Sequence, residues 1–207
     1  MSSGRLKVAP TKNNLLALKH QLGALEEGHD LLERKRELLT RLVYERIASY
    51  RELRGLAEQA VATAWHWLAM TQMRMGSPAI KQSALGAEAS LAVNILPRRA
   101  LGVPYPSLQV QRLPLKPASL LCSDASLDEA RHGLTEAALA LAQLSEARIA
   151  LSRLLNEQRK ARKRVNALRY NIIPRYRETI RYIESALEEE ERSTLFQIKM
   201  LHQQAGG

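Results

Sequence analysis

The chain has 207 residues, of which 45% are hydrophobic, 25% are charged and only 4% are aromatic, and its formal net charge is +10. One cysteine, Cys122, excludes an internal disulfide and a cysteine-rich metal centre, and it reads as a small, partly buried residue. The most apolar window, AVATAWHWLAM (60–70), falls far short of the ~20 residues of a membrane span, and residues 1–14 carry no apolar signal core, so any membrane role is expected to be peripheral, without direct insertion.

From Thr11 to Met75 there is no proline. Leu15, Leu18, Leu22, Leu25, Leu32 and Leu39 are followed by Val43, Tyr50, Leu53, Ala57, Ala60, Ala64 and Trp67. Gaps of three and four are the repeat of a coiled-coil seam, and the same register puts His29, Arg36 and Arg46 at core positions. A helix of about 64 residues, ~95 Å long, is predicted, ended by Gly76 as C-cap with Pro78 forbidding continuation. Residues 76–125 form a different middle segment, holding Pro78, Pro97, Pro104, Pro106, Pro114 and Pro117. Here LAVNIL (91–96) and SLQVQRL (107–113) are strand candidates, and the intervening PRRALGVPYP (97–106) predicts a β-hairpin with a long loop.

Helix returns in SLDE (126–129), which matches a capping box with Ser126 as N-cap and Glu129 at N3. Leu134, Leu141, Leu144, Leu151, Leu155, Val165, Leu168, Ile172, Tyr176, Ile180, Ile183, Leu187 and Ile198 mark a second seam over about 75 residues, or ~110 Å. Residues 1–75 and 126–207 are thus read as two coiled-coil helices of one continuous domain. The fold class is mainly α: a long antiparallel two-helix coiled coil with a short hairpin and loops in the middle. Two helices packing on unrelated partners is the competing reading. Pro174 interrupts this second helix, where an interior proline removes a donor and collides with the carbonyl of Tyr170, at a cost of ~3 kcal/mol. Either a helix restarts at Asn171 as N-cap, or one helix is kinked. A register with Ile172 at d and Tyr176 at a places Pro174 at f, on the outer face, and favours the kink.

No chemistry-bearing constellation emerges. There is neither G-x-x-x-x-G-K-[ST] nor G-x-G-x-x-G, and the histidines at 20, 29, 66, 132 and 202 show no metal-ligand spacing. His66, between Trp65 and Trp67, reads as packing. EEEER (188–192) reads as a solvated face. No catalytic, cofactor or metal site is expected. The basic run RKARKR (159–164), followed by Arg169, Arg175, Arg177 and Arg181, is compatible with nucleic acid, anionic lipid or an acidic protein wall. A basic-zipper reading is weakened because the run lies between seam residues Leu155 and Val165 rather than on a free helix.

PTKNNLLALKHQL (10–22), GHDLLERKRELL (28–39), KRVNALRYNIIPRYRETIRYIESALEEEER (163–192) and FQIK (196–199) together resemble the D-subunit of the V/A-type rotary ATPases and ATP synthases. Arg169, where that family usually has an acid, and Ser193–Thr194, where more acids are common, depart from its pattern. The resemblance implies a non-catalytic central-stalk rotor carrying torque for proton or sodium translocation, cytoplasmic and peripheral at the inner face of the membrane. It implies partners in the catalytic and regulatory subunits of a hexameric ring, the small F-subunit of the central stalk and the funnel-shaped subunit atop the membrane rotor; nucleic acid is not expected. Arg175, Arg177, Arg181, Arg192, Lys12 and Lys19 are candidate ring-contacting cations. The alternative is a stand-alone coiled-coil or nucleic-acid-binding module.

Overall fold

The computed structural model describes residues 4–115 and 124–205, which leaves Pro117 and Cys122 outside the described residues. The elements in chain order are α1 (Lys12–Leu85), β1 (Leu91–Ala100), β2 (Val103–Arg112), α2 (Ala125–Ala167), a π-helical turn (Leu168–Ile172) and α3 (Ile173–Ala205). The chain divides into two compact units, one of Met1–Leu38 with Gln158–Gly207 and one of Leu39–Glu157.

The terminal unit is an antiparallel helix pair. Thr11 caps α1, its hydroxyl accepting from the amide of Asn14 at 3.3 Å and its carbonyl from that of Leu15 at 3.0 Å. Leu18, Ile180 and Ile183 form the core, with Leu6, Leu15, Leu22, Tyr176 and Leu187 packed around it. Leu25, Leu32 and Leu168 are half-buried. Of the polar residues expected at seam positions, His29 and Arg36 are half-buried, with Arg36 paired to Glu33 one turn away, whereas Arg46 is exposed. His29 Nε2 and Glu33 Oε2 are buried with no partner among the described residues.

Pro174 neither restarts the helix nor simply kinks it. The amide of Ile173 bonds the carbonyl of Leu168, five residues back, so the turn before the proline is widened by one residue. Tyr170 therefore no longer sits where an α-helix would drive its carbonyl into the proline ring. The extra residue also corrects the expected register. Ile173 is the buried residue and Ile172 only half-buried; Pro174 is half-buried rather than outward. Val165 to Leu187 spans 22 residue steps, one more than three heptads, and the π turn absorbs the surplus.

In the other unit the first helix breaks at Gly76, as expected: Gly76 leaves helical geometry (φ 76°, ψ 157°). What the sequence did not announce is a second helical stretch directly beyond the break, reaching Leu85 with Pro78 inside it. A proline is excluded from a helix interior but suits the first turn of a new one, where its missing amide is not needed. Gln72 Nε2 donates to Ser77 Oγ across this break at 3.0 Å. On the far side, Asp124, not Ser126, precedes α2. The Ser126 hydroxyl donates to Asp124 Oδ2 at 2.6 Å, and the amide of Leu127 bonds the carbonyl of Asp124 at 2.8 Å.

Within this unit α1 and α2 also run antiparallel, and here small residues set the distance. Ala57, Ala64, Ala130 and Ala137 are buried, and a Cβ on Gly133 would lie 3.3 Å from Ala64 Cα. Thr71 is fully buried, its hydroxyl 2.8 Å from the carbonyls of both Trp67 and Ser126. Leu134 and Leu141, expected in the seam, are exposed. A leucine-based reading misplaces this stripe because close backbone approach selects alanine and glycine. Trp65 and His66 are exposed as well, with His66 edge-on to Trp67 at 5.8 Å.

The hairpin is tighter than expected. Its strands pair from Leu91↔Arg112 to Ala100↔Val103, leaving only Leu101–Gly102 as the turn. Both turn residues have positive φ (48° and 79°), the type I′ geometry matched to strand twist. The prolines do not prevent this pairing. Ser90 and Leu113 bond across the ladder at 2.9 Å, so alternate pairs from there inward exchange hydrogen bonds. Counting in twos leaves Pro97↔Pro106 and Arg99↔Pro104 at non-bonded pairs, where no amide is required. β2 lies along α2: Leu108 N donates to Glu146 Oε2 at 2.8 Å, Arg112 pairs with Glu136 at 2.7 Å, and Arg153 donates to Pro104 O at 2.8 Å.

Candidate functional site

The terminal unit concentrates the features that sequence singled out, and its geometry rests on a ladder of ion pairs beside the seam. Lys12 meets Glu191 at 2.8 Å, Lys19 meets Glu184 at 2.6 Å, and Arg177 meets Glu26 at 2.6 Å. Positions 12, 19 and 26 are a heptad apart, as are 191, 184 and 177, so all three rungs lie on one flank of the helix pair. The mutual support of Lys12 and Glu191 raises the pKa of the lysine and lowers that of the glutamate, each first through their hydrogen bond and then through the attraction of opposite charge.

Each rung is exposed and weak alone. Together they discriminate register, because the third rung has its charges reversed. Sliding α3 by one heptad in one direction would set Lys19 against Arg177; sliding it the other way would set Glu26 against Glu184. Either slip leaves one attraction, Lys12 with Glu184 or Lys19 with Glu191, and one repulsion in place of three attractions, on a seam whose leucines alone would tolerate both.

The N-terminal segment adds a third strand of contacts. Arg175 Nε donates to the carbonyl of Gly4 at 2.8 Å, Leu6 N donates to the Thr179 hydroxyl at 3.1 Å, and the Arg5 guanidinium lies 4.5 Å from the centre of the Tyr182 ring. Residues 175, 179 and 182 share one face of α3, and Leu6 enters the core between them and α1. This strap was not expected from the polar character of residues 1–14.

Of the six candidate ring-contacting cations, four thus have intramolecular partners: Lys12, Lys19 and Arg177 in the ladder and Arg175 on the strap. Arg181 and Arg192 are exposed and make no hydrogen bond or ion pair with the described residues. The heptad spacing of Lys12, Lys19 and Glu26 was the sequence signal for the ladder, legible only beside its mirror at 191, 184 and 177.

Past the Lys12–Glu191 rung α3 continues without α1 beside it. Leu195, Phe196, Ile198, Met200 and Leu201 are exposed there, Phe196 at 65%. In the other unit, a cavity of about 380 Å³ is lined chiefly by Leu68, Ile80, Ala84, Leu127, Ala130 and Leu134. Ser83, Glu88 and Arg131 also line it, and the Ser83 hydroxyl donates to the carbonyl of Ala79 at 2.9 Å rather than to a base. Among the described residues, no cluster of His, Cys, Asp or Glu could hold a metal ion, and no helix is long and apolar enough to cross a membrane.

Comparison with known proteins agrees along nearly the whole chain. The family profile for the ATP synthase D-subunit matches residues 14–203. A V-type ATP synthase D-subunit from Thermotoga neapolitana is 36% identical over 200 residues, covering 95% of this chain and 97% of the relative. An A-type ATP synthase D-subunit from Pyrococcus furiosus is 33% identical over 203 residues, covering 95% and 94%. One from Halorubrum lacusprofundi is 28% identical over 198 residues, covering 94% and 87%. With a helix pair, a hairpin and end-to-end similarity to these relatives, the chain belongs to the ATP synthase D-subunit family.

Proposed function

We propose that this chain is the non-catalytic central-stalk rotor of a V/A-type ATP synthase or ATPase, carrying torque between a hexameric catalytic ring and a membrane rotor that moves protons or sodium ions. Its partners on this reading are the catalytic and regulatory ring subunits, the small F-subunit of the stalk and the funnel-shaped subunit on the membrane rotor, at the cytoplasmic face of the membrane. The observation that carries the reading is the register-locked antiparallel pair of the terminal unit. A shaft transmits torque only if its two helices cannot slide past each other, and the sign-reversed third rung opposes sliding in both directions.

Two further features suit the role. The apolar end of α3 beyond Lys12, from Leu195 to Leu201, is fit for enclosure by a surrounding protein sleeve. Arg181 and Arg192 are available for contacts with the ring. The test is to reconstitute the complex with and without this chain, and with Arg177→Glu, which makes the third rung repulsive. Omission should abolish coupling of ATP hydrolysis to ion transport, and Arg177→Glu should lower it, with recovery in the Arg177→Glu/Glu26→Arg double variant. Full coupling in the complex lacking the chain would refute the reading.

A further inference from the structure

From Gln158 to Arg177 the chain carries eight cations and no acid. Arg175 and Arg177 are occupied internally. Arg159, Arg162, Lys163 and Arg164 are not: all four are exposed and make no hydrogen bond or ion pair with the described residues. Arg169, also exposed, lies 5.4 Å from the centre of the neighbouring Tyr170 ring rather than on a carboxylate. Ala161 and Val165, the buried residues between Arg159 and Arg169, face the opposite way, so the charges fan across the solvent side of α2 and the π turn over about 15 Å.

This arrangement is unfavourable for the chain alone. Arg159 faces Arg162 and Lys163 at three and four residues. Like charges at these spacings destabilise a helix by a few tenths of a kcal/mol each. The ladder in the same unit shows that complementary acids are readily placed where self-pairing is wanted. The face formed by Arg159, Arg162, Lys163 and Arg164 therefore points outward, to a partner.

We infer that the 159–169 face of α2 and the π turn docks on a carboxylate-rich surface of another protein subunit of the complex. The choice of partner follows from what the face lacks and from the family. Its other exposed residues are Asn166, Ala167 and Tyr170, with no aliphatic anchor to enter a bilayer. Its helix is packed along its own seam at Ala161 and Val165, so it is not free to enter a nucleic-acid groove as a basic-zipper helix does. The chain belongs to a family of subunits, whose natural neighbours are proteins. Guanidinium groups and an ammonium on flexible stems suit carboxylates presented in turn by a neighbour. The inference rests on the proposed role in the complex and identifies a surface apart from the six cations discussed above.

The experiment uses the assembled complex. Zero-length carbodiimide coupling should link Lys163 to an Asp or Glu of another subunit, identified by peptide mass spectrometry. The Arg159→Glu/Lys163→Glu variant should bind the remaining subunits about tenfold more weakly at low ionic strength, with the difference shrinking in high salt. The isolated variant should melt no lower than the parent chain, because the reversal makes position 159 attract Arg162 and position 163 attract Lys160 while the 159–163 pair stays alike in sign; this separates a lost contact from a lost fold. A variant that assembles with unchanged affinity, with Lys163 uncoupled in the parent complex, would overturn the inference alone. Failure of the parent chain to enter the complex would overturn the rotor reading as well. Tighter binding of the parent chain to phosphatidylserine vesicles or duplex DNA than to the other subunits would overturn it in favour of phosphate.

Discussion

Replacing Gly133 by alanine should destabilise the protein, although the same change elsewhere in these helices should stabilise it. Alanine in a helix interior is favoured over glycine by ~1 kcal/mol. At Gly133 that gain meets a steric limit: the new Cβ would lie 3.3 Å from Ala64 Cα and 3.7 Å from its Cβ and N. Carbon atoms pack best at ~3.5–4.0 Å, and the obstacle is helix backbone, which cannot swing aside. Overpacking of a close contact costs ~1–3 kcal/mol. The net expectation is a loss of ~0–2 kcal/mol for Gly133→Ala. Gly55 is also helical, but a Cβ there meets nothing within 4 Å, so Gly55→Ala should gain ~1 kcal/mol. The two variants should therefore differ by ~1–3 kcal/mol, or several degrees in Tm at ~2–4 °C per kcal/mol for a chain of this size. Thermal unfolding followed by circular dichroism at the helical band measures it. If Gly133→Ala were stabilised as much as Gly55→Ala, the close approach of α1 and α2 would not be limited at this glycine, and the small-residue account of that interface would fail.

Other perturbations probe the remaining devices. Leu101 holds a left-handed backbone at φ 48°, so Leu101→Asn should tighten the hairpin and raise stability by ~0.5–1 kcal/mol; a drop in urea midpoint would contradict the turn assignment. Arg177→Glu should lower stability through repulsion with Glu26, and adding Glu26→Arg should restore it; a double-mutant cycle with no coupling would remove the ladder's third rung from the argument. Asp124 has its carboxyl held below the ordinary range, first by the Ser126 hydroxyl and then by Arg74. A lowered folded-state pKa contributes stability above the unfolded value and loses it as pH falls through the folded one. The melting temperature of the parent chain should therefore exceed that of Asp124→Asn at neutral pH, with the gap closing in strong acid; a pH-independent gap would show that the charge is not what matters.

Much of this fold is written in leucine spacing. Leu15, Leu18, Leu22 and Leu39 announce α1, and Val165, Ile180 and Ile183 announce its partner, because a seam is a periodic signal and periodicity survives in one dimension. What stayed hidden depends on parity, on size or on distant pairs. The prolines of the hairpin looked like loop because their tolerance turns on which alternate pairs bond, and that is fixed only by the register of the other strand. The Ala64–Gly133 stripe was missed because its residues are small and the leucines beside it, Leu134 and Leu141, face solvent. The ladder needed two segments about 150–180 residues apart to be read together. Of the candidate surface, the cations were visible as residues; whether each had an internal partner was not, and that divides Lys12 and Lys19 from Arg159 and Lys163.

The π turn also has a bearing on how this chain can vary in length. Deleting one residue from a paired helix ordinarily rotates everything beyond it by ~100° and tears the seam. Between Leu168 and Ile172 the reverse holds, because one residue there is already surplus to the repeat. A deletion at this turn would return it to plain α-helix and leave the seam on both sides in phase. Pro174 opposes that route, since in an unwidened helix it would again collide with the carbonyl four residues back. The proline thus guards the surplus residue, which can be lost only with it, and a lineage that loses both together should keep the same helix pair one residue shorter.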